Sequence, residues 1–289
     1  MRRPVFSLAL FVLLALLSAA CAPKQTPPPV PPAPPIDDAA PEDKGAAIWR
    51  AFHARASGAN FLSGPFRISG TLRYTDDKGE THRVSSLLWG NGKADNPYPL
   101  RLDLLAGVGS VVAKVREDKD SFVAYIPDEK RAYLMEGADR TLASFGVPVP
   151  LSLGDLTRLL TGLPGGLFLP DGLFLPGTSE AEPAVPEYAP TGAGARFTVT
   201  HATLPGELDL SSSGVPLGWK EAGGKGWSIV FEPGEKNPLQ PQKLRIAHPK
   251  GYSALITVKE ITRVSPPYSR EQMGLETPPG TEIDRLDGN

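Results

Sequence analysis

Residues 65–90 read PFRISGTLRYTDDKGETHRVSSLLWG. Phe66, Ile68, Leu72 and Tyr74 share one parity, and Arg67, Ser69, Thr71, Arg73 and Thr75 share the other. A period of two marks a strand with one face buried and one face wet. Asp76–Gly79 (DDKG) supplies turn residues, and the chain then returns in a second run of strand type that carries Trp89 near its end. An antiparallel hairpin is expected, with the aspartates serving turn geometry.

Upstream the period is 3.6. In EDKGAAIWRAFHARASGANF, Ile48, Phe52 and Ala56 recur every fourth residue, with Trp49 and Ala51 beside them. That stripe predicts a helix, with Glu42 and Asp43 at its positive end and Gly58 to stop it. Before it lies APKQTPPPVPPAPPIDDAAPED, residues 22–43, with nine prolines. Proline fixes φ and lacks an amide donor, so this piece reads as an extended tether spanning roughly 60–70 Å at about 3.1 Å per residue. The first twenty residues have the anatomy of an export signal: Arg2 and Arg3, an apolar run from Val5 to Leu17, then small residues leading to Cys21, the only cysteine. A lone cysteine forms no internal disulfide, so acylation is its economical use. No other segment has an apolar run long enough to span a bilayer.

Downstream, strands are expected at 99–105, 110–117, 121–127 and 131–135, joined by short polar or glycine-rich turns. Two helical segments follow, DRTLASFG and LSLGDLTRLLTG. The second puts Leu153, Leu156, Leu159 and Leu160 on one face, with Ser152 as N-cap and Gly162 as stop. Residues 166–177 then repeat GLFLP about Asp171, and residues 178–190 read as a mobile connection. Six more strands are expected at 195–201, 206–211, 216–222, 226–233, 241–249 and 251–264. The fold class is therefore mainly β (α+β): a curved, half-open antiparallel barrel of about 11–12 strands, with about three helices plugging its concave face.

Chemical motifs are sparse. His53, His82, His201 and His248 are scattered without metal-ligand spacing, and nothing resembles a nucleophile elbow, a P-loop or a dinucleotide fingerprint. The net charge of −2 is spread among interspersed acids and bases, which argues against a nucleic-acid surface. No enzyme, metal or cofactor is expected.

The sequence is similar to the LolA/LolB lipoprotein family in the order of several motifs. Ala19, Ala20 and Cys21 resemble a lipobox, with Ser18 where leucine is usual. FRISG (Phe66–Gly70), Trp89, LDLLAGVG (Leu102–Gly109), DLTRLLTGLP (Asp155–Pro164), GWSIVF (Gly226–Phe231) and PQKLRI (Pro241–Ile246) follow in the family's order. The resemblance implies a diacylglycerol and an N-acyl group on Cys21, and Ala22 after it implies placement in the outer membrane. It divides the chain into a signal (1–20), an acylated cysteine and tether (21–44), a half-barrel domain (45–265) and a C-terminal extension (266–289). It implies an apolar cavity for acyl chains or lipoprotein clients, walled by Phe66, Ile68, Leu72, Tyr74, Leu88, Leu102 and Leu104. Leu156, Leu159 and Leu160 would form a lid over it, and a periplasmic LolA-type carrier would be a partner of a monomeric receptor. The alternative is a non-catalytic envelope scaffold that binds a protein partner through the same fold. The family's receptor carries a protruding apolar loop, whose best match here, Leu105–Gly109 (LAGVG), is short. The GLFLP repeat, with Leu167, Phe168, Leu173 and Phe174, is thus a buried edge, a second layer of lid, or a membrane-touching tip.

Overall fold

A computed structural model describes residues 41–58, 64–92, 98–107, 109–136, 141–169, 184–200, 202–224 and 226–286. Cys21, most of the tether, and Leu173 and Phe174 of the repeat lie outside them.

The expected hairpin is present as β1 (Phe66–Thr75) and β2 (Thr81–Gly90), in register from Phe66↔Gly90 to Thr75↔Thr81. Phe66, Ile68 and Leu72 are buried while Arg67 and Arg73 are exposed, as the alternation requires. Asp76 closes the turn by accepting from the amides of Lys78 and Glu80, at 3.0 and 2.9 Å. The meander continues through β3 (Leu100–Ala106), β4 (Ser110–Glu117), β5 (Ser121–Ile126) and β6 (Arg131–Glu136). A second run comprises β7 (Tyr188–Pro190), β8 (Gly194–Val199), β9 (Gly206–Ser211), β10 (Pro216–Glu221), β11 (Ser228–Pro233), β12 (Pro241–Ala247) and β13 (Ser253–Arg263). With β14 (Glu282–Leu286) they form one open sheet of 14 strands, in the order β14-β6-β5-β4-β3-β2-β1-β13-β12-β11-β10-β9-β8-β7.

The two runs meet where β1 pairs antiparallel with β13. The register slips there between Ser69 and Gly70, a bulge that bends both long strands. A Cβ on Gly70 would stand 2.5 Å from the Thr257 carbonyl oxygen, so only glycine permits this approach. The glycine of FRISG is thereby explained.

Two strands exceed the expected dozen. β7 falls inside the stretch read as mobile, and Tyr188 packs its ring 5.6 Å from Phe197. β14 falls inside the stretch read as an extension beyond the domain. It pairs parallel with β6, and the tail leading to it is tied down along the way. Asn91 and Tyr268 exchange two hydrogen bonds, of 2.7 and 2.9 Å. Arg101 donates to the carbonyls of Gln272 and Gly274, at 2.7 and 2.8 Å, while lying 5.4 Å over the Trp89 ring. Residues 266–286 thus belong to the sheet's architecture.

The helices cover the buried face. α1 (Pro41–Gly58) starts inside the residues assigned to the tether, so 41–44 are already helical. Its Ile48, Trp49, Phe52 and Ala56 are buried, with the Trp49 ring 5.0 Å from Phe197 of β8. The first of the two expected helical segments is a single 3-10 turn, Leu142–Phe145, ended by Gly146 at φ 78°. The second is α2 (Leu153–Thr161), flanked by Ser152 and by Gly162 at φ 83°, as read from the sequence. A short helix, α3 (Gly165–Phe168), follows it directly, and α4 (Arg270–Met273) sits in the tail. Among the described residues no helix is long and apolar enough to cross a membrane.

Candidate functional site

The inner faces of β1, β2, β3 and β13 form a curved apolar wall, and α2 with the 142–151 segment lies against it. Between them is a void of about 30 Å³. Five of the expected wall residues, Ile68, Leu72, Leu88, Leu102 and Leu104, line it from the sheet. Leu156 and Leu160 of α2 face them, joined by Leu142 and Val149. Among the described residues, the polar side chains at the void are those of Ser86 and Thr257. A space this size holds about two or three water molecules and is far too small for an acyl chain, so the covering helix is packed down onto the wall.

Three expected site residues sit elsewhere. Phe66 is buried at the far end of β1, where a Cβ on Gly90 would touch its ring at 2.9 Å. Tyr74 stacks on His82 with ring centres 4.8 Å apart, near the hairpin turn. Leu159 points to the second meander, toward a smaller gap bounded by Phe231 and Leu239. Ile256 and Val258 of β13 line the void and were not singled out from the sequence, although their alternation with Thr257 carries the signal. Leu142 and Val149 lie in an irregular segment with no period to reveal them.

In the first GLFLP copy, Leu167 and Phe168 lie in α3 and are 0% and 1% exposed. Phe168 meets Phe231 edge-on at 6.4 Å, and the Leu167 carbonyl accepts from the Leu204 amide. These two side chains are therefore unavailable to a bilayer while α3 is in place.

The N-terminus of α2 is held from across the sheet. Glu117, the last residue of β4, is 1% exposed. Its Oε2 accepts from the amides of Leu153 and Gly154, at 2.5 and 3.2 Å, and its Oε1 accepts from the Tyr98 hydroxyl at 3.0 Å. Ser152 Oγ accepts from the Asp155 amide at 3.0 Å, and the Leu156 amide reaches the Ser152 carbonyl. The amides of Leu153, Gly154 and Asp155, which have no acceptor within the helix, are thus satisfied, and Leu156 makes the first bond of the helix itself. Burial pushes the Glu117 carboxyl up to about 7, against the lowering effect of its three donors. Nothing in the sequence marked Glu117 apart from its parity with Val115.

The structure also gathers Asp76, Glu80 and His82 within reach of one another on the exposed hairpin turn, a grouping their spacing did not suggest. Asp76 is already engaged, by two turn amides and by His82 Nε2 at 2.8 Å.

No family model and no curated protein sequence matches the chain. Among solved structures it is similar to a DUF1329-family protein from Desulfovibrio piger, at 11% identity over 80% of this chain and 98% of that one, with a TM-score of 0.50. It is also similar to a LolA superfamily protein from Nitrosomonas europaea, at 9% identity over 77% and 94%, with a TM-score of 0.44. A domain from Vibrio parahaemolyticus named for outer membrane lipoprotein sorting gives 9% identity over 79% and 97%, with a TM-score of 0.46. Identity this low bears on the fold alone. The chain adopts the mainly β architecture that its sequence leads one to expect, an open and almost wholly antiparallel sheet with helices against one face.

Proposed function

We propose that this chain is a lipid-anchored envelope protein that takes acyl chains, or the acylated ends of lipoproteins, between the sheet and α2 and delivers them to the outer membrane. The observation that carries the reading is the apolar seam itself: seven leucines and isoleucines expected as wall and lid face one another across it, with two hydroxyls for company. Each buried methylene is worth about 0.8 kcal/mol, so one long chain supplies on the order of 10 kcal/mol before the costs of opening and ordering. Such attraction is non-directional, needs no catalytic group and suits transfer between carriers. Because the seam is closed, α2 and the 142–151 segment must move aside for a client to enter.

Cys21 carries the anchor in this reading, Pro-rich residues 22–40 hold the domain away from the bilayer, and the names of the Nitrosomonas and Vibrio relatives agree with an envelope role. Metabolic labelling with palmitate should mark the protein and fractionate with outer membranes, and Cys21→Ser should lose the label. Native mass spectrometry of protein purified from membranes should detect bound lipid, and a fluorescent fatty acid should bind with micromolar affinity or better. Depletion should make lipoproteins accumulate in the periplasm.

The closed seam also favours a second reading, a scaffold whose interior is simply packed and whose outer surface binds a protein. If no lipid co-purifies and the fatty acid does not bind, the carrier reading fails and the scaffold remains.

A further inference from the structure

A carboxylate buried at 1% exposure, with no cation paired to it among the described residues, is costly to keep, and the sheet keeps one at the end of β4. Glu117 does not line the apolar void, and its side chain is buried although the exposed turn at Lys119 and Asp120 follows close behind. What it touches is the start of the covering helix: two amides of α2 on one oxygen, and the Tyr98 hydroxyl on the other. These amides carry the positive end of the helix dipole, where an anion is favoured. Tyr98 in turn lies so close to α2 that a Cβ on Gly154 would stand 2.6 Å from its hydroxyl. Glycine at the second position of the helix is what lets the three groups converge.

We infer that Glu117 is the latch of the lid: fixed on the rigid sheet, its side chain holds the N-terminus of α2 shut, and opening α2 breaks that hold. The inference rests on the proposed reading of α2 as a movable lid. It adds a control point to it. Lifting α2 returns Glu117 to water, where its carboxyl regains ordinary acidity, whereas the closed state holds the proton up to about pH 7. The closed state therefore binds the proton more tightly, so acid favours closure and rising pH favours opening. The other ionisable groups facing Glu117 are Tyr98 and, from α2, Asp155, which opposes its charge; Arg158, which faces Tyr98, is itself paired with Asp155 at 3.1 Å. The remaining neighbours across β4 are Leu100 and Phe122, which carry no charge.

Hydrogen–deuterium exchange on the full-length chain, with no lipid added, tests this. Rates at pH 6 and pH 8 are divided by the intrinsic rate at each pH. Protection of the Leu156–Thr161 amides should fall about tenfold from pH 6 to pH 8, relative to β5 amides such as Phe122 and Ala124. Glu117→Gln keeps an oxygen for the two helix amides and an NH2 for the Tyr98 oxygen, so α2 should stay protected and lose its pH response. Glu117→Leu leaves both amides without an acceptor and should deprotect α2 at both pH values. Should that variant fail to fold, the wild type and Glu117→Gln still decide the matter. The latch is overturned if α2 tracks β5 at both pH values, or if Glu117→Gln keeps the wild-type response. The two readings fail separately: a flat α2 in a protein that binds fatty acid removes the latch alone, and a responsive α2 in a protein that binds none removes the carrier alone.

Discussion

At Gly70 a methyl group has nowhere to go. It would lie 2.5 Å from the Thr257 oxygen and 3.2 Å from Ser86 Oγ, and the first of these is backbone inside a paired strand. Gly70→Ala is expected to cost about 1–3 kcal/mol in denaturant unfolding, because β13 must back away from β1 at the seam. At Glu117 the effect runs through pH. Its folded-state pKa, about 7, is raised above the unfolded value, so its contribution is fully present below the ordinary carboxylate range and is lost as pH rises through 7. Between pH 5 and pH 8 the wild type should lose roughly 2–3 kcal/mol of stability that Glu117→Gln does not lose. The sequence hid this residue for a physical reason. Glu117 precedes Asp118, Lys119 and Asp120, a run that reads as a solvated turn, and its partners Leu153 and Gly154 are more than thirty positions away. Phe66, Ile68 and Leu72 were legible because a strand reports its own buried face every second residue.

The helix α2 was legible in full, caps included, because its signals are all local: Ser152 before it, Gly162 after it and leucines at helical spacing between. Which surface each leucine meets was not local. Leu156 and Leu160 face the void, and Leu159, one position from Leu160, faces the second meander. Leu159→Ala is therefore expected to cost about 2–5 kcal/mol and to leave fatty-acid binding unchanged in stable protein. Leu156→Ala and Leu160→Ala should cost less wherever a bound chain refills the space, so added fatty acid should raise their Tm more than that of the wild type. The repeat posed a harder problem, since apolar residues among prolines and glycines suit a buried edge, a second layer of lid or a membrane-touching tip. The packing of Phe168 on Phe231 speaks against the tip for the first copy. Phe168→Ser should lower the unfolding free energy by about 3 kcal/mol or more and leave liposome binding of a Cys21→Ser protein unchanged.

Across the whole molecule, the least legible choice was the pairing of β14. Nothing in TEIDRL names β6 as its neighbour, and a parallel partner requires a long crossing that local turn signals never announce. Arg101 anchors that crossing through two carbonyls, so Arg101→Ala should free the tail and uncover the β6 edge. An uncovered edge strand is a template for another chain, and light scattering should show concentration-dependent self-association in that variant. The seam between β1 and β13 has a related consequence for how the chain is made. Phe66 meets Gly90 within one hairpin, but it meets Arg263 only after nearly all of the protein exists. During synthesis the first meander therefore waits with both flanks bare, one for β13 and the other for β14. Folding must be slow to complete and most adhesive midway, so whatever machinery handles the nascent chain has to shield it until its last strands arrive.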